Sequence, residues 1–276
     1  MAKTNNIAIL TDFSLYDNYN GVMEGVIRNF NKDAKISYLS GNVKKFNLSS
    51  AAYLLYTGYR FFPKRTVFLV VVDPGVGTER HPIAAKTKNY YFVGPDNGIL
   101  YPAIMDDGIS EIRIISNPKL FLSNQISRTF HGRDIFAISA ALISVGVQLD
   151  TFGNRKDERD LVPYNIKFFK RDSCGIIAKV IYVDNFGNVA LSIHKSEINL
   201  IDDKIVRIKT RNGEYNARVV KTFGYGKENE LIIYSNGFGF IEIGINKGSA
   251  HDILKTSEGD EVCLEGFTQG DFNHSI

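Results

Sequence analysis

Residues 66–73, TVFLVVVD, form an unbroken apolar, largely β-branched run that ends in an acid. A half-exposed strand would alternate, and an amphipathic helix would repeat every 3.6 residues. This run does neither. It fits a central strand covered on both faces, and such cover comes from helices. The neighbouring segments supply the rest. IAILTDF (7–13) and KISYLS (35–40) read as strands, and YYFVGPDNG (90–98) as a strand ending in a turn. GVMEGVIRNF (21–30) puts Val22, Val26 and Ile27 roughly on one helical face. LSSAAYLLYTGYRF (48–61) reads as a helix capped by Ser49 or Ser50, and Ile135, Ile138, Leu142 and Val145 fall at helical spacing. Strand–helix alternation predicts an α/β N-terminal domain with a largely parallel central sheet.

The texture changes after about residue 165. GIIAKVIYVDNFGNVALSI (175–193) reads as two strands around a turn, and Asn212-Gly213 sits between strand-like runs, a strong hairpin signal. ELIIYSNGFGFIEIGIN (230–246) and DEVCLEGF (260–267) continue in short strands, with no helix pattern. This half is expected to be a small all-β domain. The boundary falls within 155–174, and we take the domains as 1–164 and 165–276. The charged run 154–160, NRKDERD, reads as a solvated connector.

The 33 basic and 30 acidic residues, net +3, are too balanced to argue for nucleic acid. No run of 18 apolar residues exists, so no membrane partner is expected, and the first residues lack the apolar core of a signal peptide. Cys174 and Cys263 suggest no disulfide framework, which points to a cytoplasmic protein. The histidines at 81, 131, 194, 251 and 274 show no ligand spacing, so neither a metal nor another cofactor is expected.

Polar turns follow several strands, where open α/β sheets bind ligands. TDFS supplies Asp12, VVDPGVGTER supplies Asp73 and Arg80, GPDNG supplies Asp96 and Asn97, and HGRD supplies His131. These segments are expected to converge on one crevice. Each also has a plainer reading. Asp12 suits a cap, Asp73 before Pro74 a turn, and Asp134 the first turn of a helix. The loop after Asp73 lacks the Gly-Lys-Ser/Thr ending of a phosphate loop. In the β half, DNFGN (184–188) presents a carboxylate, an aromatic face and an amide together, suited to a purine or an ammonium group. It also suits an ordinary hairpin turn.

Taken together, LTDFSLYDNYNGVMEGVI (10–27), FFPKRTVFLVVVDPGVGTERHPIA (61–84), FVGPDNGIL (92–100), TFHGRDIFA (129–137), VIYVDNFGNVALSI (180–193) and GFIEIGINKGSA (239–250) resemble the S-adenosylmethionine hydrolases that form adenosine, relatives of fluorinase and chlorinase. The resemblance implies a C-terminal β-barrel and a homotrimer with ligand between one subunit's N-domain and the next subunit's C-domain. It implies that water attacks S-adenosylmethionine to give adenosine and methionine, with no cofactor. It places Asp12 at the ribose hydroxyls and Phe46 beside the nucleoside. Asp73, Arg80 and His131 fall around the nucleophilic water, with Gly132 leaving space there. Asp184 falls near the methionine ammonium, and Phe186 and Asn188 at the adenine. The backbone from Asn246 through Lys247 to Ser249 would complete the adenine pocket.

These residue types suit the reaction. A sulfonium leaves as a neutral thioether and needs no acid, so the difficulty lies in placing and deprotonating water. Arg80 stays protonated and cannot be the base. His131 can accept a proton near neutral pH, although a helix start disfavours its cationic form. On this reading Arg80 and His131 polarise the water and Asp73 orients them. The fluorinase pattern has tyrosine at position 73 and tyrosine-serine at 131–132. An acid at 73 would repel a halide, which argues against a halogenase. A binder of S-adenosylmethionine or adenosine without turnover is the competing reading, and it would not need the three water-handling groups. TDFS in place of TDFG, and SGNVKKFN (40–47) in place of a SHEIPPFD-like stretch, depart from the family pattern on the ribose side. Asn236, Gly237 and Phe238 depart from it on the methionine side.

Overall fold

The computed structural model describes residues 3–173 and 175–273. The chain divides into two compact units, Met1–Tyr164 and Asn165–Ile276.

The first unit is built on β1 (Asn6–Thr11), β2 (Lys35–Ser40), β3 (Val67–Val71), β4 (Pro82–Thr87), β5 (Tyr91–Pro95) and β6 (Ile109–Ile114), in the order β2-β1-β3-β5-β4-β6. The apolar run is the buried strand β3, as its lack of alternation requires. Helices α1 (Tyr19–Phe30) and α4 (Ile138–Ser144) belong to one side of the sheet, and α2 (Leu48–Gly58) and α3 (Tyr101–Asp107) to the other. Two apolar clusters result, one around Ile9, Ile27, Leu69 and Phe136 and one around Leu10, Leu55, Phe68 and Phe92.

The sheet is mixed rather than largely parallel. β2, β1, β3 and β5 run parallel, whereas β4 is antiparallel to both β5 and β6. The reason is the chain between β3 and β5. The DPGVGTER segment contains no helix to carry a right-handed crossover, so β4 returns as a hairpin partner of β5. The cap of α2 also differs from expectation. Asn47, not Ser49 or Ser50, accepts the N–H of Ser50 at 2.9 Å.

In the second unit β8 (Gly175–Val183), β9 (Val189–His194), β10 (Ile205–Thr210), β11 (Gly213–Val219), β12 (Leu231–Ser235), β13 (Phe240–Ile245) and β14 (Glu261–Glu265) form a closed barrel of 7 strands. Closure comes from the β14–β8 ladder, which removes the free edges. β7 (Phe169–Asp172) adds to β8 outside the ring. Asn212-Gly213 does make the β10–β11 hairpin. One short helix, α5 (Ala250–Leu254), was not expected, and five residues are too few to show a periodicity. Cys263 is disulfide-bonded, which corrects the expectation of no framework. Cys174 and His274 lie outside the described residues. Among the described residues, no helix is long and apolar enough to cross a membrane.

Candidate functional site

Asp73 follows β3 directly, and Arg80 lies seven residues on, at the end of the turn before β4. The turn folds Arg80 back onto the acid. Its Nε lies 3.0 Å from each Asp73 oxygen, and its Nη2 donates to Oδ2 at 2.5 Å. Both side chains are nearly buried, at 9% and 6% exposure. The same Nη2 reaches His131 Nδ1 at 2.8 Å, across 51 residues of sequence. One guanidinium therefore joins an acid and an imidazole into a single chain.

That chain fixes the histidine tautomer. Arg80 has N–H donors and no acceptor, so Nδ1 must be the acceptor and the neutral ring carries its proton on Nε2. Burial, then the Arg80 charge, hold the His131 pKa below its ordinary value, against the opposing pull of Asp73 and Asp134. The sequence had His131 able to accept a proton near neutral pH but with its cation disfavoured at a helix start, and the lowered pKa runs in the direction of the second. The lone pair His131 would use already faces Arg80, and the nitrogen left over is a donor.

Gly132 to Ala137 form a π-helical turn that runs into α4. Arg133 and Asp134 serve this start. Asp134 accepts from Arg133 Nε at 2.6 Å and from the Ser127 N–H at 2.7 Å, which ties the preceding loop to the helix. Its pKa falls, since these bonds and the Arg133 charge outweigh burial.

A cavity of about 520 Å³ opens beside these groups. Asp12, Phe46, Asp73, His131 and Gly132 line it, together with Phe13, Tyr19 and Phe130, which motif reading had not singled out. These three rings pack edge-on or tilted with centroids 5.1 to 6.0 Å apart. Their spacing in sequence gives no periodic signal, because Phe13 lies in the β1–α1 loop, Tyr19 opens α1, and Phe130 comes from the loop before the Gly132–Ala137 turn. Asp12 accepts the Phe46 N–H at 2.8 Å, so the SGNVKKFN loop is seated on the acid. Burial raises the Asp12 pKa, and the Asp73 charge adds to this. Asp96 does not join the crevice. It pairs with Lys156 at 3.3 Å and accepts the Val162 N–H. The run 154–160 is therefore not wholly solvated, because Lys156 is a buried tie.

In the barrel, the β8–β9 turn carries the second set of candidates. Asp184 Oδ1 accepts the N–H groups of Phe186 and Asn188, and Oδ2 accepts Asn188 Nδ2 at 2.9 Å. Asp184, Phe186, Asn188, Asn246 and Lys247 line a cavity of about 740 Å³ with Phe223 and Tyr234. The last two were missed by sequence reading, since Tyr234 reads as an ordinary residue of a short strand and Phe223, in a three-residue turn, shows no periodicity. Phe186 is 77% exposed, a ring held out by its turn. Asn246 is anchored by Nδ2 to the Gly226 carbonyl at 2.8 Å. Ser249 is not in the lining. It caps α5 through the Asp252 N–H and packs against Gly187. Among the described residues, no group of three or more His, Cys, Asp or Glu is arranged to hold a metal ion.

Residues 7–153 match the SAM hydroxide adenosyltransferase N-terminal domain and residues 178–263 the corresponding C-terminal domain. The chain belongs to the SAM hydroxide adenosyltransferase family. It is 33% identical to the (R)-S-adenosyl-L-methionine hydrolase of Methanocaldococcus jannaschii, over 93% of this chain and 94% of that one. It is 31% identical to the protein of the same name from Salinispora tropica, over 95% and 98%. A crystal structure of an uncharacterized conserved protein from Thermotoga maritima superposes with a TM-score of 0.84 at 39% identity, covering 94% of this chain and 99% of that one. The Asp73, Arg80 and His131 cluster lies within the N-terminal match, and Asp184, Phe186 and Asn188 within the C-terminal match.

Proposed function

We propose that this protein hydrolyses S-adenosyl-L-methionine to adenosine and L-methionine. The observation that carries the reading is the buried hydrogen-bonded chain Asp73–Arg80–His131 on the wall of a cavity. Membership of the family supports it, as do the hydrolase names of the relatives.

A water oxygen attacks C5′ of the ribose. The C5′–S bond breaks and its electron pair returns to sulfur, which leaves as the neutral thioether of methionine. The water gives up its proton to solvent. A fixed cation and a fixed donor favour the hydroxide character that develops on the nucleophile, without reorganising during the reaction. Arg80 supplies the charge, His131 supplies Nε2–H, and Asp73 holds Arg80 in place. Asp12 takes the ribose hydroxyls with Phe46 beside them, and Gly132 leaves room next to the nucleophile. Phe186 and Asn188 receive the adenine, Asp184 the methionine ammonium, and the backbone around Asn246, Lys247 and Ser249 closes the purine pocket. The reaction needs no cofactor.

We propose also that the chain works as a homotrimer, with the N-terminal half of one copy completing the ligand site of the C-terminal half of another. Phe46 at 69%, Phe186 at 77% and Tyr16 at 99% exposure are apolar surfaces that such packing would cover. Light scattering on the purified protein tests the assembly, and a monomer would end that part of the proposal.

Incubation with S-adenosyl-L-methionine and chromatography of the products tests the reaction, with chloride as a competing nucleophile. Adenosine and methionine in equal amounts are expected. Formation of 5′-chloroadenosine alone would make the protein a halogenase, and binding without product would make it a binder.

A further inference from the structure

Asn97 belongs to the polar turn after β5 and is absent from the lining of the cavity beside Asp73, and the mechanism above gives it no task. Its side chain nevertheless reaches the turn that carries Asp73 and Arg80. Nδ2 donates to the Val72 carbonyl at 2.9 Å, and Oδ1 accepts the Ile99 N–H at 3.3 Å. Together the two bonds fix which way the amide faces. The Val72 carbonyl belongs to the peptide group that leads into Asp73. That group is planar, so holding its oxygen also holds the Asp73 nitrogen and Cα. β5 ends at Pro95, which has no N–H, so the ladder cannot supply a donor from that position. The side chain of Asn97 supplies one instead.

Asp96 holds the far end of the same turn. Its backbone N–H donates to the His81 carbonyl at 2.9 Å, one residue after Arg80. Residues 96 and 97 thus grip the chain just before Asp73 and just after Arg80. Between the two grips, bonds from the Val76 N–H to the Asp73 carbonyl and from the Thr78 N–H to the Gly75 carbonyl close the turn on itself. The gripping residues are themselves seated. Asp96 Oδ1 accepts the Val162 N–H at 3.0 Å and Oδ2 pairs with Lys156 at 3.3 Å, and both side chains of that pair are nearly buried.

We propose that Asn97 is a positioning residue. Its amide sets where the Asp73–Arg80 pair stands and, through Arg80, the direction in which His131 presents Nε2–H. The inference rests on the reading that these three groups handle the attacking water.

Asn97→Ala tests it by removing the donor. Asn117→Ala is the matched control, because Asn117 makes the same two kinds of bond elsewhere in this unit. Its Nδ2 donates to the Thr151 carbonyl at 2.8 Å, and its Oδ1 accepts the Lys119 N–H at 3.1 Å. In Asn97→Ala, kcat with S-adenosyl-L-methionine should fall about tenfold to a hundredfold, the scale of a small misplacement of reacting groups. Adenosine affinity, read by calorimetry, should stay at the wild-type value, and Asn117→Ala should keep both. Nitrogen NMR of the neutral His131 ring gives a second readout. In wild type, Nδ1 should resonate as an unprotonated acceptor, and in Asn97→Ala it should move toward the average of the two tautomers. Asn97→Asp keeps the bond from Ile99 but turns an acceptor toward the Val72 carbonyl. It should show the same changes, and it decides the matter if Asn97→Ala does not fold. A merely structural role would lower the Tm of both alanine variants and leave kcat and the His131 resonance where they were. Folded Asn97 variants with wild-type kcat and resonance would overturn the inference and leave the hydrolase reading standing. If the wild type forms no adenosine, that reading fails. A moved His131 resonance then still supports the inference, and an unmoved one overturns it.

Discussion

Asp73→Asn isolates the arrangement on which the proposed chemistry depends. The carboxylate receives Arg80 through Nε and Nη2, and the two side chains are 6% and 9% exposed. Asparagine keeps the shape and removes the charge. Its NH₂ also faces an N–H of Arg80, so one contact turns repulsive. Breaking a buried pair from one side costs about 3–5 kcal/mol. Here the pair borders a cavity that water can enter, which favours the lower end, about 3 kcal/mol. For a chain of this size that corresponds to a fall in Tm of about 6–12 °C. Arg80, no longer clamped, loses its hold on His131 Nδ1, and loss of a preorganised electrostatic group lowers kcat by about 10²–10³. Differential scanning calorimetry and turnover of S-adenosyl-L-methionine read the two effects. A further variant, Asp73→Asn with Arg80→Gln, removes the unpaired charge and should recover much of the Tm but none of the kcat. An Asp73→Asn protein with Tm within about 2 °C of wild type and turnover within about threefold would refute the reasoning, since both lie inside the range of an ordinary surface change.

Three other outcomes follow from the geometry. The His131 pKa is lowered in the folded state, so the unfolded chain binds its proton more readily; the stability this residue confers is present above about pH 6.5 and declines as pH falls from there toward the folded value. Thermal midpoints should therefore drop less steeply below pH 6.5 in His131→Gln than in wild type, and parallel curves would contradict the assignment. Phe186→Ala should change stability by less than about 0.5 kcal/mol, since the ring is mostly exposed, while adenosine affinity falls by the roughly 1–3 kcal/mol of a lost stacking face. Gly187→Ala should cost on the order of 1–3 kcal/mol in chemical denaturation, because φ is +83° and a Cβ would stand 2.1 Å from Ser249 Oγ; a neutral result would mean that the turn shifts freely.

Local pattern was enough wherever the information is local. An apolar run with no alternation had to be a central strand, and β3 is one. Asn212-Gly213 had to reverse the chain, and it joins β10 to β11. The polar residues after the strands of the first unit were legible as site candidates, because strand ends in such sheets face ligands. Strand direction was less so. β4 is antiparallel because no helix follows β3, a fact about the path of the chain and not about any residue in β4.

Which candidates meet was settled by folding over long separations. Asp96 resembled Asp73 in sequence context, yet it turned to Lys156, 60 positions away, while Asp73 took Arg80. The tautomer of His131 was undetermined until Arg80 reached Nδ1 from 51 residues away. Tyr234 and Glu242 read as ordinary strand residues until Asn236, its Oδ1 taken by two backbone N–H groups, turned its Nδ2 to the acid beside the Tyr234 hydroxyl. The physical reason is common to all three. Residue type sets what a side chain can donate or accept, but the partner that folding brings within about 3 Å settles which of those it does.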